Sequence, residues 1–401
     1  MRKTKKNIIY LFLIALAFSC TKDDSESDEN EIIQEVVEDQ KEEVSDTSTT
    51  DTSNSQNQTT STQATYDRSS FLINIADNII IPSHNQFKTD LIELQEASNT
   101  FEEETNDSNL NTLREKWIAS YKSWQHIEMF NIGRAEEIYF NSKMNIYPVN
   151  IDRLENNVST GNYDLDNANN FSSQGFPALD YLLYGVGSSD SEIIEKFNSG
   201  SGYKSYLKDI ILKMVNNTNE VIDSWTSYRD IFVSSTQNTA TSSINKLTND
   251  FIYYYEKGFR ANKVGIPAGV FSNDVLPDRV EAYYSKIYSK DLALEAMTAI
   301  DNFFKGKHFN SDETGDSFKT YLDFLDVIKN ESNLSDLITE KFSSAKSSIE
   351  SLDDNFALQL EQDYVKVLET YDAIQVGVVL LKVDMLQALS INVDYTDADG
   401  D

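Results

Sequence analysis

Residues 110–128, LNTLREKWIASYKSWQHIE, carry the pattern that decides the fold. At about 100° per residue, Trp117, Tyr121 and Trp124 lie within about 60° of one another on a helical wheel. An aromatic stripe of this kind indicates the buried side of a helix, which we expect to run over residues 110–137. Glu128 ends the same stripe. A carboxylate in line with aromatic core residues is a candidate binding residue.

The chain from Tyr66 onward repeats this helical pattern. Glycine and proline are scarce, and apolar residues recur at helical spacing in segments separated by polar loops. Further helices are expected over residues 208–232, 244–260, 278–304, 318–329, 334–352 and 355–389. No stretch shows the alternation of a strand over a useful length. The expected fold is all-α, with two up-and-down four-helix-type bundles packed together, residues 66–235 and 236–401.

The last predicted helix has a distinct pattern. Residues 371–389 are apolar almost all round the wheel, which predicts a central, buried helix. Asp384 is a carboxylate on an otherwise apolar side of it. It is either a ligand-binding residue or a buried acid satisfied by a backbone or Arg partner.

The N-terminus has the pattern of an export signal. Basic residues cluster in 2–6, an apolar run covers 8–18, and Ser19 and Cys20 follow at once. The apolar run is too short to cross a membrane and is typical of a cleaved signal peptide, residues 1–19. Cys20 is the only cysteine, so no internal disulfide can form. We expect Cys20 to be lipidated and to anchor the chain in a membrane; the alternative is an ordinary signal peptide with an incidental cysteine.

The composition of residues 20–65 predicts a disordered tether. The stretch after Cys20 is rich in Asp and Glu and then in Ser, Thr, Gln and Asn, with almost no apolar content. Such a composition cannot bury enough surface to offset its chain entropy and is expected to be disordered. Residues 21–26, TKDDSE, resemble the Lys-acidic signal that sends Bacteroidetes-type lipoproteins to the outer face of the outer membrane. We therefore expect an outer-membrane lipoprotein that faces the cell exterior.

The charge of the chain excludes one class of partner. The formal net charge is −32, and loss of the basic signal peptide makes it more negative. Nucleic acid is excluded as a partner, because Lys and Arg must neutralise its phosphates. An acidic surface is compatible with cations or a cationic partner, and also with simple solvation of a secreted protein.

Residues 175–185, GFPALDYLLYG, resemble the signature of the imelysin family, the insulin-cleaving metallopeptidase-like proteins also described as iron-regulated. That signature is Gly-x-His-x-x-Glu followed by an aromatic residue, two leucines and a glycine. Residues 117–128, 276–285 and 383–401 resemble other blocks of the family in the same order. The resemblance implies an all-helical fold of two four-helix bundles, export, and a link to iron or haem acquisition. The ligand it implies is iron, another divalent or trivalent cation, or haem.

The signature departs from the family at its functional positions. Pro177 stands at the histidine position and Asp180 at the glutamate position. A proline side chain cannot ligate a metal or move a proton, but it can open a helix. Asp180 would then lie in the first turn, where the helix dipole favours a negative charge.

The three histidines, His84, His126 and His308, do not replace the missing one. His126 and Glu128 are about 160° apart on the wheel, so they cannot form a pair on one helix, and His126 is expected at the surface. No His-Glu-x-x-His motif is present.

The remaining candidate site is a set of carboxylates with nearby basic and aromatic residues. Its candidate binding residues are Trp124, Glu128, Gly175, Pro177, Asp180, Arg279, Glu281 and Asp384. Carboxylate oxygens suit hard cations better than zinc. The alternative is that these acids pair with arginines, such as Arg260 and Arg279, or cap helices. Asp397, Asp399 and Asp401 alternate like the start of an EF-hand loop, but the bidentate Glu of that loop is missing.

Three functions stay open at this stage. The first is a non-enzymatic binding or accessory lipoprotein in iron or haem uptake, with an outer-membrane transporter as partner. The second is a metallopeptidase, which needs a water-activating metal for which no catalytic residues are assigned. The third is a structural platform for protein contacts, which an exposed apolar patch would favour.

Overall fold

The computed structural model describes residues 65–272 and 274–395. The predicted signal peptide, Cys20, all but the last residue of the predicted tether, and Asp397 to Asp401 lie outside these residues. The described residues belong to one compact unit.

Nine helices of the described chain precede residue 235. They are α1 Arg68–Asn74, α2 Ile81–Glu103, α3 Asp107–Trp124, α4 Arg134–Glu137, α5 Phe140–Met144, α6 Ile151–Thr160, α7 Gly175–Asp180, α8 Asp190–Asn198 and α9 Ser201–Ser234. The long helix α2 packs against both α3 and α9, and the buried aromatic residues of this half belong to the hydrophobic core.

The second half contains six further described helices and one hairpin. The helices are α10 Ser243–Tyr253, α11 Ser289–Lys305, α12 Phe318–Leu325, α13 Leu334–Glu350, α14 Phe356–Val379 and α15 Leu386–Leu389. The strands β1 Ile328–Lys329 and β2 Ser332–Asn333 pair antiparallel. The prediction of an all-α fold is confirmed, since these two-residue strands are the only ones in the described chain.

Four π-helical segments extend these helices. They are Ile75–Ile80, Tyr181–Gly185, Tyr254–Gly265 and Leu380–Met385, and two short 3-10 turns are Ala168–Ser173 and Pro277–Arg279. The segment Tyr254–Gly265 continues α10, and Leu380–Met385 joins α14 to α15. π-Helical turns inside helices are frequent at functional sites.

The predicted helix over residues 110–137 is too long, because α3 ends at Trp124. Backbone hydrogen bonds from Gln125 N to Lys122 O (3.1 Å) and from His126 N to Ser123 O (3.2 Å) tighten its last turn. The turns that follow place Ile127 in the core. Glu128 is therefore positioned by a turn and not by a helix.

Two predicted helices in the second half are also too long. The prediction over 278–304 overran at its start, because residues 280–288 form a loop and α11 begins at Ser289. The prediction over 318–329 overran at its end, because Asp326 adopts the left-handed conformation (φ 49°) that ends α12.

The predicted central helix over residues 371–389 corresponds to the end of α14, the segment Leu380–Met385 and α15. This last long helix is not central, so that prediction was wrong. It packs against α13, the segment Tyr254–Gly265 and the turn Pro277–Arg279. Val376, Val379 and Val383, on its other side, are 44%, 44% and 55% exposed. Valine is apolar whether it faces a core or solvent, so the wheel could not distinguish the two sides. No helix of the described residues is both long enough and apolar enough to span a membrane.

The N-terminal helix packs on the second half of the chain. Phe71 meets Phe318 edge to face, with ring centroids 5.1 Å apart. The Asn74 amide donates to Gly306 O (3.2 Å) and Asp316 O (3.0 Å). The polar stretch 235–242 is a loop between α9 and α10. The division into two bundles at that loop stays a prediction.

Candidate functional site

Gly175 makes a tight crossing at the start of the signature segment. Its φ is +73°, and a Cβ atom at this position would lie 2.1 Å from the carbonyl oxygen of Met144. Only glycine combines this backbone conformation with so close an approach. Gly175 therefore allows the start of α7 to pass directly against the end of α5, and it contributes no functional group.

Pro177 and Asp180 are both structural. Pro177 is buried in the first turn of α7, as predicted. Asp180 lies in the second turn, so its predicted first-turn position was wrong. Its two carboxylate oxygens accept from the backbone N–H groups of Tyr284 (2.7 Å) and Ser285 (3.0 Å). Burial raises the pKa of Asp180 to about 7, although these hydrogen bonds oppose the change.

The centre of the site is a buried ammonium group. The Lys263 side chain is 2% exposed, and its Nζ donates to Glu281 Oε2 (2.6 Å) and Gln125 Oε1 (2.8 Å). The Gln125 amide nitrogen in turn donates to Glu281 Oε1 (3.3 Å). A buried charge needs such partners, since desolvation would otherwise neutralise it.

Glu128 lies on the outer side of this ammonium group. Its Oε2 is 3.7 Å from Lys263 Nζ and accepts from the Tyr254 hydroxyl at 3.1 Å. Burial raises the pKa of Glu128, the Lys263 charge opposes this change, and the Glu281 charge adds to it. The two carboxylates and one ammonium leave the cluster with a net negative charge when both acids are ionised.

Asn145 joins the two carboxylates. Its amide nitrogen donates to Glu128 Oε1 (2.8 Å) and Glu281 Oε1 (2.9 Å), and its carbonyl accepts from the Tyr121 hydroxyl (2.6 Å). Glu128, Glu281, Lys263, Gln125 and Asn145 therefore form one hydrogen-bonded unit, which we name the interior cluster. At the edge of this cluster, the Tyr254 hydroxyl donates to Glu128 and the Tyr121 hydroxyl donates to Asn145.

A cleft of about 220 Å³ opens beside the interior cluster. Glu128, Asn145 and Tyr254 line its inner wall, and Asp250 lies further along it. Burial raises the pKa of Asp250 to about 8, with the charges of Glu136 and Asp394 adding to the effect. The cleft is thus lined by two acids, Glu128 and Asp250, and by one lysine, Lys257.

Like Gly175, Pro177 and Asp180, the three remaining predicted site residues lie outside the interior cluster. Arg279 is exposed and pairs with its neighbour Asp278 at 3.6 Å. Asp384 forms an ion pair with Lys329 of β1, so it is a paired acid, but it is only partly buried and its partner is a lysine, not the backbone or arginine partner that was expected. Trp124 is fully buried in the aromatic core and contacts Phe176.

The structure brings together Glu128 and Glu281 of the predicted set, with Asp180 anchoring the loop that follows Glu281. The sequence interpretation missed Lys263, Gln125 and Asn145. One signal was present for Lys263, because it lies two residues before Gly265-Ile266-Pro267-Ala268, a weak echo of Gly175-Phe176-Pro177-Ala178.

The three histidines lie outside the interior cluster and contact other groups. His126 is only 18% exposed and its Nε2 lies 2.6 Å from Glu295 Oε1, so the prediction of a surface histidine was wrong. It shares a separate cleft of about 350 Å³ with His308. His84 is buried, its Nδ1 lies 2.8 Å from Ile80 O, and burial lowers its pKa to about 4. As predicted, His126 and Glu128 point to different partners.

The residues present do not fit the metal that the family motif implies. Pro177 has no donor atom, both oxygens of Asp180 bind backbone amides, and Glu281 binds an ammonium group. Within residues 65–272 and 274–395, no three His, Cys, Asp or Glu side chains converge where they could hold a metal ion.

The fold and site define a class: a helical protein with a buried polar cluster joining distant segments. Comparison with known proteins gives the family. The sequence model of the imelysin family, peptidase M75, matches residues 80–377, and the chain belongs to this family. An imelysin-like protein from Psychrobacter arcticum has a TM-score of 0.63 and 16% identity, covering 82% of this chain and 97% of that one. A Parabacteroides distasonis protein, assigned as an iron-regulated protein A precursor, has a TM-score of 0.61 and 14% identity, covering 80% and 96%.

One curated relative matches over a short part of its length. Iron-regulated protein A of Synechococcus elongatus is 23% identical over 108 residues. The match covers 27% of this chain and 29% of that relative. A match this short does not carry over the function of the whole relative, so a shared function is a proposal.

Proposed function

We propose that this chain is a non-enzymatic accessory lipoprotein of iron uptake, anchored through Cys20 in the outer membrane and facing the cell exterior. The main support for a non-enzymatic role comes from the two motif residues. Pro177 is inert, and the Asp180 carboxylate is held by two backbone amides. The link to iron is supported by relatives that are named iron-regulated protein A.

The residues of this site do not supply the metal ligands that a metallopeptidase mechanism needs. Metal-assisted peptide hydrolysis needs a metal with an open coordination position, usually held by imidazoles. The nearest donors, Glu128 and Glu281, are committed to Lys263 and Asn145. We therefore propose that the accessory role is carried by the surface of the protein and not by chemistry at the motif.

The exposed side of the last long helix favours a contact role. Val376, Val379 and Val383 form an apolar stripe there, and Asp372 and Glu369 lie exposed one turn and two turns before it. An apolar stripe beside acidic residues is complementary to a segment with apolar side chains flanked by Lys or Arg. We propose such a segment of an outer-membrane transporter as the partner.

The test is growth under iron limitation. A deletion strain is complemented with the wild-type gene, with Val379→Asp, or with Leu212→Asp as the matched control. Leu212 is 41% exposed on α9, away from the valine stripe. We expect the wild type and Leu212→Asp to restore growth and Val379→Asp to fail at equal protein levels. A deletion strain that grows normally without added iron would exclude the role in iron uptake.

A second measurement addresses the enzyme alternative. The purified mature protein is incubated with unfolded protein substrates, with and without a chelator. Proteolysis that the chelator abolishes would show a metallopeptidase and overturn the non-enzymatic proposal.

A further inference from the structure

The position of the Lys263 ammonium group is one that a metal cation could take. Three side-chain oxygens surround it: Glu281 Oε2 at 2.6 Å, Gln125 Oε1 at 2.8 Å and Glu128 Oε2 at 3.7 Å. Two of them are carboxylate oxygens and one is an amide oxygen, which are the donors that hard divalent cations prefer. They come from the turn after α3 and from the loop before α11.

We propose that Lys263 is a built-in substitute for a metal ion, and that the interior cluster is a latent hard-cation site filled by the chain itself. Within the described residues, Lys263 is the one cation paired with either Glu128 or Glu281. Its single positive charge offsets one of the two negative charges of a pair of acids that would otherwise repel each other in a desolvated interior. Because the ammonium group is tethered, this compensation does not depend on the supply of metal.

The consequence is structural. Lys263 joins Gln125 and Glu281 across chain separations of 138 and 18 residues. A divalent cation at the same position would make the same connection through coordination bonds. The tethered ammonium group therefore makes the connection without a bound metal. This inference does not depend on the proposed role in iron uptake.

Removal of the ammonium group tests the inference. In Lys263→Ala of the mature protein, the two carboxylates and the Gln125 oxygen face the space that the side chain leaves. We expect this variant to bind Mn²⁺ at least tenfold more tightly than the wild type, measured at pH 7.5 by electron paramagnetic resonance of free Mn²⁺. We also expect Ca²⁺ to raise the unfolding temperature of the variant and not of the wild type.

Two controls locate the new site. Lys208→Ala removes a surface lysine that pairs with Glu102 at 3.2 Å, and it should bind Mn²⁺ no better than the wild type. The double variant Lys263→Ala, Glu281→Gln should lose the gained affinity, because one of the two carboxylates is gone.

Other outcomes would overturn the inference. One is a folded Lys263→Ala protein that binds Mn²⁺ no better than the wild type. Another is wild-type Mn²⁺ binding that Glu281→Gln abolishes, because the site would then hold metal beside Lys263. If Lys263→Ala is unfolded without metal, refolding in saturating Ca²⁺ supports the proposal, and failure to refold contradicts it.

Discussion

At the scale of single residues, the acids of this protein differ in how their charge is compensated. Glu281 is buried, yet Lys263, Gln125 and Asn145 all donate to it. Asp250 in the neighbouring cleft instead lies near two further acids, Glu136 and Asp394. For Asp250, burial and these two acids raise the pKa more than Lys246 lowers it, and an acid whose pKa is raised in the folded state makes the protein less stable as the pH rises.

Asp250→Asn should make the protein more stable at alkaline pH. The folded state raises the pKa of Asp250 from its ordinary value of 3.8 to about 8. The folded protein therefore favours the protonated acid, and stability is lost as the pH rises between these two values. Urea unfolding should show the advantage of the variant growing by about 2 kcal/mol from pH 5 to pH 8.5, less than the full gap because water reaches the cleft.

Asp230→Asn is the control for this effect. Asp230 is exposed on α9, and its replacement should change the free energy of unfolding equally at both pH values. An Asp250→Asn advantage that does not vary with pH would contradict the prediction.

Gly175→Ala should destabilise the protein by about 3 kcal/mol or more. An L-residue at φ +73° is strained, and its Cβ atom would overlap Met144 O. Gly200→Ala is the matched control, since nothing lies within 4 Å of a Cβ atom there and its φ of 178° is open to any residue. Denaturant unfolding of both variants should differ by at least 2 kcal/mol; equal values would mean that the crossing relaxes freely.

At the scale of elements, the ends of the π-helical segments matter because their carbonyl groups need outside partners. The segment Tyr181–Gly185 follows the signature helix α7 directly. Arg114 of α3 donates to Leu183 O from Nε (3.1 Å) and Nη2 (2.8 Å). Its guanidinium group also lies 4.4 Å from the centre of the Tyr184 ring and pairs with Asp190. One side chain thus ties α3, the π-helical segment and α8 together.

Arg114→Met should cost about 2–3 kcal/mol of stability. The change keeps the apolar stem but leaves the Leu183 carbonyl without its charged donor. Lys116→Met, two residues on, removes a half-exposed ion pair with Glu93 and should cost clearly less stability than Arg114→Met. Thermal and urea unfolding of the two variants check this, and similar losses would show that the guanidinium contacts are unimportant.

At the scale of the whole molecule, the two halves of the chain share their interior. Phe71 of α1 packs on Phe318, and Gln125 of the first half bonds with Lys263 and Glu281 of the second. Neither half can be removed without exposing apolar surface or leaving buried charges unpaired. The residues on both sides of the 235–242 loop should therefore unfold together.

We expect one cooperative unfolding transition for the mature protein and no folded product from residues 66–235 or 236–401 expressed alone. Calorimetry of the whole protein and circular dichroism of the fragments check this expectation. Two separate calorimetric transitions, or a helical and cooperatively melting fragment, would show that the halves are independent bundles.

The sequence predicted most helices and part of the site. The stripe of Trp117, Tyr121 and Trp124 is buried as expected, because helical period is a local property. Glu128 and Glu281 were correctly singled out, and they meet. The exposure of Val379 and the position of Arg279 were not predictable, since each depends on which segments pack nearby.

The sequence by itself determined that this protein is helical, that it belongs with the imelysins, and that its motif lacks a histidine. These properties rest on spacing within one segment and on the identity of single residues. The tertiary structure alone decided which charges meet. Glu281 lies 156 residues from Gln125 and 136 from Asn145, and only the packed chain brings them around the Lys263 ammonium group. Wheel geometry relates neighbours a few residues apart, whereas an interior ion cluster depends on contacts between distant segments.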